Sequence, residues 1–196
     1  MTADHAHPHH GPNAERGPVA DASVRLARVS DAPAVGMVQA ILWTEVYAGL
    51  LPPEVLAEFQ PQSFARVWRD SLVAPPSPAH RLLVACAGEQ VVGFSAVGTS
   101  SDPAGCEGDG EILVLGVHPE ARRAGHGSRL LNASVDTARG AGFQLLGVWL
   151  PWRDEVTRRF LVAAGFAPDG ALRDRVLGPV QSDVFREVRL RAAIDS

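Results

Sequence analysis

The sequence predicts one domain of the α/β (α+β) class, in which about seven strands form a sheet flanked by about four helices. Apolar residues make up 46% of the 196 residues, which is enough for one substantial core. Short segments that alternate apolar and polar residues, as half-buried strands do, are interspersed with longer segments of helical periodicity. Prolines and glycines separate these segments, so their order can be assigned along the chain.

The N-terminal half of the chain predicts a strand, two helices and a hairpin. Ser30 and Asp31 offer an N-cap and Pro33 lies in the first turn, so we expect the first helix to begin there. Pro52 and Pro53 end that helix. The predicted elements are a strand over 24–29, a helix over 35–46, a helical stretch that includes 59–68 and ends before 75, and strands over 81–87 and 91–97 joined by a tight turn.

The C-terminal half predicts four more strands and two helices. A polar, glycine-rich loop over 100–110 leads into this half. Gly165 follows the last helix as its C′ residue. The predicted elements are a strand over 111–117, a turn and helix that end at about 141, a strand over 143–150, a helix over 155–164, and strands over about 173–177 and 184–190.

The most informative segment is residues 117–131, VHPEARRAGHGSRLL, where an apolar strand turns into a helix. Backbone N–H groups at a helix start have no intrahelical partner, and the helix dipole adds about half a positive charge there. Gly125 and Gly127 let the backbone approach an anion closely. For the Gly-x-Gly pattern alone, an ordinary strand-to-helix turn with solvated arginines is the alternative. The longer segment predicts a phosphate-binding turn.

The order Val-x-Pro-x-x-Arg-Arg-x-Gly-x-Gly-x-x-Leu-Leu resembles the acetyl-CoA-binding motif of the GNAT superfamily of N-acetyltransferases. The order of predicted elements also resembles the fold of this superfamily, from about residue 23 to 192. The resemblance implies a mixed, mostly antiparallel sheet whose central parallel strands splay apart. It implies that acetyl-CoA places its pyrophosphate on the turn and its pantetheine arm beside residues 113–117. The implied cofactor-binding residues are Leu115, Gly116, Val117, Arg122, Arg123, Ala124, Gly125, His126, Gly127 and Ser128. No chemistry is assigned to the His126 side chain.

A second signature of the same family covers residues 151–166. The chain keeps the family's Phe160, Gly165 and Phe166, but it carries Asp154 at the asparagine position and Leu161 at the tyrosine position. Asp154 either accepts a hydrogen bond from a pantetheine amide or caps the following helix. Leu161 cannot donate a proton, so the acid that the family uses for the departing thiolate is missing.

Two residues are candidates for proton transfer. Glu111 opens the strand before the phosphate turn, where a carboxylate can take the proton of an amine directly or through a water. Asp109 is its neighbour, and a solvated strand end is the alternative for either residue. Tyr47 is the only tyrosine, so its phenol is the only one that could replace the missing acid. Trp43 lies on the same helix face, where it suits either a pocket wall or core packing. Backbone N–H groups near Val114 are expected to stabilise the oxyanion.

The composition excludes several other kinds of site. All 18 basic residues are arginine, so a Walker A loop and a Schiff-base lysine are excluded. A Rossmann fingerprint would need a glycine where Leu130 stands. Neither Cys86 nor Cys106 lies in a recognisable nucleophile context, and no second cluster completes a metal site with the N-terminal histidines. The net charge of -4 and the pI near 5.9 do not favour nucleic acid or an anionic membrane as a partner.

Together these features predict an acetyl-CoA-dependent N-acetyltransferase that uses no metal and works by direct transfer in a ternary complex. The expected acceptor is the amine of a small molecule or a peptide N-terminus; a longer acyl group, an oxygen acceptor and a homodimer stay open. The alternative is a non-catalytic acyl-CoA-binding or sensor domain. We also expect a disordered tail over 1–22, a single domain over 23–196 and a cytoplasmic location.

Overall fold

The computed structural model describes residues 22–100, 102, 108–176 and 184–194. Its strands are β1 (Ala22–Leu26), β2 (Arg81–Ala87), β3 (Gln90–Thr99), β4 (Asp109–Val117), β5 (Leu145–Pro151), β6 (Ala167–Val176) and β7 (Val184–Ala193). They form one sheet in the order β1-β2-β3-β4-β5-β7-β6. Neighbouring strands are antiparallel except for β4 and β5, which are parallel. This mixed, mostly antiparallel sheet confirms the predicted fold class.

Five helices flank the sheet in the part of the chain that the structure describes. They are α1 (Ala32–Tyr47), α2 (Pro53–Leu56), α3 (Pro61–Val73), α4 (His126–Gly140) and α5 (Glu155–Ala163). Short 3-10 turns, Val29–Asp31 and Pro119–Ala121, lie before α1 and α4. The predicted helical stretch that ends before 75 is confirmed as α3, but Phe59 lies outside it, because Gln60 is extended and Pro61 begins the helix.

The predicted start of α1 is confirmed, but the predicted cap is not. Asp31 directly precedes the helix, but its side chain makes no cap hydrogen bond to α1. Its carboxylate instead accepts hydrogen bonds from the backbone N–H of Arg28 (2.6 Å) and from the guanidinium of Arg25 (2.7 and 3.0 Å). The first of these bonds closes the 3-10 turn, and β1 therefore ends at Leu26 rather than near residue 29.

The predicted glycine turns agree with the structure, whereas the predicted start of the exposed edge strand β6 does not. The hairpin of β2 and β3 and the glycine after α5 are confirmed, since Gly88 and Gly165 have φ values of 59° and 95°. β6 begins at Ala167 rather than near 173, because this edge strand is mostly exposed and has no alternating apolar pattern. The predicted tail, apart from Ala22, and Cys106 lie outside the described residues.

Helices cover both faces of the sheet. α4 and α5 pack on one face, in a buried cluster that includes Ile112 and Leu131. α1 and α3 pack on the opposite face, around Val35 and Phe94. None of these five helices is both long and apolar enough to cross a membrane.

The contact between α1 and α3 is very close. A Cβ built on Gly36 would lie 2.5 Å from the carbonyl oxygen of Pro61 and 2.6 Å from the backbone nitrogen of Ala65. Both neighbours are backbone atoms, which cannot move aside without shifting a helix. Gly36 is therefore required by packing, and this contact holds α1 in its place beside the sheet.

Candidate active site

The central parallel strands separate partway along their length. β4 and β5 are paired only over residues 109–112 and 145–148. β4 continues through 113–117 and stays paired with β3 on its other edge, with a β-bulge at Leu113 where the separation begins. Alternate backbone groups of a strand point to opposite edges, so part of the N–H and C=O groups of 113–117 have no partner in β5. The splayed pair implied by the family resemblance is present.

A cavity of about 680 Å³ lies in the gap between these strands. Small-molecule sites typically have volumes of about 300–1,000 Å³. Residues 113–117 of β4 and the end of β5 form part of its wall, and α1, α5, β6 and β7 supply much of the rest. The same cavity is lined by Gly127 at the start of α4, by Tyr47 of α1 and by Glu187 of β7.

The start of α4 forms an anion cradle. Gly125 precedes the helix with a φ of 81° and no side-chain cap, and Arg123 also has a positive φ, 65°. The first amide that bonds within the helix is that of Arg129, which donates to the carbonyl oxygen of Gly125 at 3.2 Å. The amides of residues 126–128 therefore have no intrahelical acceptor. Left-handed residues in such a turn aim successive N–H groups to one side, which suits a phosphate.

Gly127 leaves open space beside this cradle. A Cβ built there would be 3.7 Å from the Phe160 ring and 3.9 Å from Val117, which are ordinary contacts. Gly127 does not have a positive φ, and the packing around it does not require a glycine. The free amides and this space fit the diphosphate of coenzyme A.

The arginines of the turn differ in their surroundings. Arg122 donates from both terminal nitrogens to the carboxylate of Glu45 at 2.8 and 2.5 Å, and its Nε donates to the carbonyl oxygen of Val117 at 3.3 Å. It thus ties the turn to α1 at the cavity wall. Arg123 is exposed. A phosphate contact from either side chain stays a prediction.

Two further residues of the predicted cofactor site have local roles in the fold. Asp154 accepts a hydrogen bond from the backbone N–H of Thr157 at 3.0 Å, so it caps α5, and it also lines the cavity. The His126 ring is buried, and its Nδ1 has no hydrogen-bond partner among the described residues. Burial and the nearby Arg129 lower the pKa of this imidazole, which is therefore neutral at pH 7.

Glu111 has the properties expected of a base. It is buried in β4, and the hydroxyl of Ser100 donates to its carboxylate at 3.2 Å. Burial raises the pKa of the Glu111 carboxyl, and Arg173 and Ser100 oppose part of that rise. Glu111 is not part of the cavity wall itself. Its neighbour Asp109 forms an ion pair with Arg191 at 2.5 Å.

Tyr47 lies in the cavity wall and in an aromatic cluster. Its ring makes edge contacts with Trp43, Phe59 and Phe185, at centroid distances of 5.6, 6.0 and 5.0 Å. Trp43 both packs in this cluster and lines the cavity, so the two interpretations of it hold together. Burial, and then Glu187, raise the pKa of the Tyr47 phenol, which stays protonated at neutral pH.

Sequence reasoning missed three charged residues that the last two strands contribute to the cavity wall. They are Arg173 and Arg175 of β6 and Glu187 of β7. The last strand alternates charged and apolar residues, which predicts a strand but does not distinguish a solvated face from a cavity. Nowhere in the described ranges do three His, Cys, Asp or Glu side chains come close enough together to hold a metal ion.

Comparisons with known proteins agree with this geometry. The model of the acetyltransferase (GNAT) family matches residues 38–166. No curated protein sequence matches significantly. PaiA N-acetyltransferase from Thermoplasma acidophilum, solved with coenzyme A, is similar in structure, with a TM-score of 0.70 and 16% identity over 88% of this chain and 99% of that one.

Two other solved structures are also similar. YncA from Salmonella typhimurium, solved with acetyl-CoA, has a TM-score of 0.64 and 18% identity over 89% of this chain and 95% of its own. The ribosomal-protein-S18-alanine N-acetyltransferase from Escherichia coli has a TM-score of 0.61 and 14% identity, with the same two coverages. At such identities the likeness concerns the fold.

Proposed function

Because the chain belongs to the acetyltransferase (GNAT) family, we propose that it transfers the acetyl group of acetyl-CoA directly to an amine of a small molecule or to a peptide N-terminus. One observation carries the proposal. A single cavity connects the free edge of β4 and the glycine turn of α4 with the Tyr47 side chain, and the Glu111 carboxylate lies in the same strand β4 just outside the cavity wall. Donor and acceptor can therefore meet in one place. Family membership indicates acyltransferase activity; the amine acceptor is the proposed part.

The donor site uses mainly backbone groups. The amides of 123–128 would hold the diphosphate, and the unpaired edge of β4 over 113–117 would bind the pantetheine arm as an added strand does. When bound, acetyl-CoA supplies an acyl carbonyl and a thiolate leaving group whose pKa resembles that of cysteine, about 8.5. The N–H groups of β4 beyond the bulge at Leu113 would stabilise negative charge on the acyl oxygen.

Glu111 would accept the proton that the amine loses as the new C–N bond forms. A primary amine is mostly protonated at neutral pH, so it needs such a base before its nitrogen can attack. Because Glu111 lies outside the cavity wall, the proton would reach it through an intervening water. The raised pKa of this buried carboxyl makes it a stronger base than an ordinary glutamate.

Tyr47 would supply a proton to the departing thiolate. Its phenol is the only one in the chain, and it lies in the same cavity as Leu161, which occupies the position of the family's usual tyrosine. Its raised pKa keeps the phenol protonated but makes it a weaker acid. The thiolate is already a good leaving group, so this help is worth about 10²-fold at most.

Direct transfer is the route that the cavity favours. Cys86 is free and buried in β2, and no cysteine of the described residues lines the cavity. An acetyl-cysteine on the enzyme is therefore not supported. The free thiol suits a reducing compartment, and we place the protein in the cytoplasm. No observation favours the binding-only alternative.

The test combines turnover with binding. Thiol release from acetyl-CoA is measured across a panel of amines, amino acids, polyamines, aminoglycosides and short peptides, and calorimetry measures the affinity for CoA. We expect CoA to bind and at least one amine to be acetylated, with the acetylated product identified by mass spectrometry. Glu111→Gln is the matched control, which should bind CoA and lose turnover. Binding without turnover on any acceptor would contradict the proposal.

A further inference from the structure

The cavity contains a group of charges that the donor site does not use. Arg173, Arg175 and Glu187 all line it. Arg173 is paired with Glu187 across β6 and β7, and Arg175 with Phe185, so these side chains lie on the face of the sheet where Phe185 contacts Tyr47. The charges therefore belong to the part of the cavity beside Tyr47, where an acceptor would bind.

Glu187 is an anion held in one position. Glu187 is only 3% exposed, and Arg173 Nε donates to Glu187 Oε2 at 2.5 Å. The Arg173 guanidinium also lies over the ring of Trp149, 4.3 Å from its centroid. Loss of this partner would leave an unpaired charge in the interior, which costs free energy. Arg173 and Trp149 together therefore fix where the negative charge lies.

Arg175 is held less tightly than Arg173. Its Nη1 is 3.9 Å from Glu187 Oε1, which is too long for a hydrogen bond, and its side chain is 48% exposed. Among the residues that the structure describes, it makes no closer polar contact. A guanidinium presents a planar fork of N–H donors that matches the two oxygens of a carboxylate. Arg175 can therefore bind an anionic group of a ligand without leaving its place.

The signs of the charges select a type of acceptor. Glu111 interacts electrostatically with Arg173, Asp102 and Glu187, and Arg175 lies beside Glu187, so carboxylates and guanidiniums share this region. A polyamine would bring several positive charges past Arg175, which is unfavourable. A zwitterion laid against the Arg175–Glu187 pair would place each of its charges next to one of opposite sign.

On this basis, and resting on the proposed acetyl transfer, we infer that the acceptor is an amino acid whose carboxylate binds Arg175 while its amino group faces Glu187 and Glu111. Arg175 then determines specificity, because it discriminates an amino acid from the same amine without a carboxylate. Glu187 and Arg173 orient the acceptor, and Glu111 retains the role of base. Trp43 and Leu50, which also line the cavity, are available for the side chain of the acceptor.

The experiment compares matched acceptors. Each standard α-amino acid is assayed with its primary amide and with the corresponding decarboxylated amine, and kcat/KM is measured for the wild type and for Arg175→Gln. The wild type should prefer the amino acids, and the substitution should lower kcat/KM for the amino acid by roughly 10- to 100-fold, the worth of a charge-assisted contact. It should leave the amide nearly unchanged. Arg175→Lys, which keeps the charge but not the fork, should restore part of the preference.

Arg186→Gln is the matched control. Arg186 is in the same hairpin, is exposed, and forms its ion pair with Asp174 on the opposite face of the sheet. Arg186→Gln should leave the preference for amino acids intact. Thermal unfolding and CoA calorimetry should show that Arg175→Gln and Arg186→Gln are both folded and able to bind CoA. Equal use of amino acids, amides and amines by the wild type would overturn the inference while acetyl transfer stands, and so would an equal loss on all three in Arg175→Gln. CoA binding with no acetylated acceptor would overturn both.

Discussion

Replacing Ser128 with glutamate tests where the diphosphate binds. Ser128 is the third residue of α4, is exposed, and directly follows Gly127. A glutamate at this helix position reaches back toward the free N–H groups of the first turn. It would therefore occupy, with its own negative charge, the cradle that we assign to the diphosphate.

The two expected effects have opposite signs. An acid in the first turn of a helix stabilises it by about 0.3–1 kcal/mol. Two unit charges 4 Å apart repel by about 4 kcal/mol at an effective dielectric constant near 20. Salt screening and movement of the glutamate side chain reduce this, so we expect CoA binding to weaken by roughly 2 kcal/mol, or about 30-fold in Kd. Ser128→Glu should thus be as stable as the wild type or more stable, and yet bind CoA poorly.

Calorimetric titration of CoA and urea unfolding measure the two quantities. The control is Asn132→Glu, which adds the same charge to an exposed position one turn further along α4. The control should leave the Kd for CoA nearly unchanged. Raising the salt concentration should shrink the loss in Ser128→Glu, because at about 1 M salt charges are screened beyond roughly 3 Å. Equal Kd values for the two variants and the wild type would refute a diphosphate site at the start of α4.

Three further changes test the proton-transfer residues and the packing. Glu111→Gln should lower kcat/KM by about 10²- to 10⁴-fold near neutral pH. Because burial raises the pKa of Glu111 above its ordinary 4.5, wild-type kcat/KM should increase with pH as this carboxyl ionises; an identical acidic limb in the variant would assign the base elsewhere. Tyr47→Phe keeps the ring contacts and should lower kcat by about 10²-fold or less at normal thermal stability, whereas unchanged rates at every pH would exclude the phenol. Gly36→Ala should reduce the free energy of unfolding in urea by about 1–3 kcal/mol, because its Cβ meets the backbone of α3. Gly140→Ala, which has open space for its Cβ, is the control, and an equal loss there would contradict the packing argument.

Local signals predicted much of the fold. Seven strands, the hairpin turn at Gly88 and the glycine after α5 follow from alternation and from backbone preferences that a few neighbouring residues express. The glycine turn before α4 is of the same kind, because the need for free amides and a small residue is visible in consecutive positions. The exposed strand β6 was placed too late, since an edge without a buried face carries little pattern.

Side-chain partners could not be predicted in the same way. The bond between Arg122 and Glu45 joins residues distant in sequence that the packing of α1 against β4 brings together, while the phosphate contact of Arg122 stays a prediction. Asp154 caps α5, whereas its hydrogen bond to a pantetheine amide stays a prediction. Each of these outcomes depends on which of several equally suitable partners lies within hydrogen-bond distance.

Sequence alone determined the class of fold, the glycine turn before α4 and the family, because these depend on periodicity and on backbone groups that neighbouring residues control. Only the tertiary structure decided which charges share the part of the cavity beside Tyr47. Glu187, Arg173 and Arg175 come together with Tyr47 because β6, β7 and α1 meet beside the splayed strands. Attraction between charges depends on distance in space, and that distance is set by the packing of elements far apart in the chain.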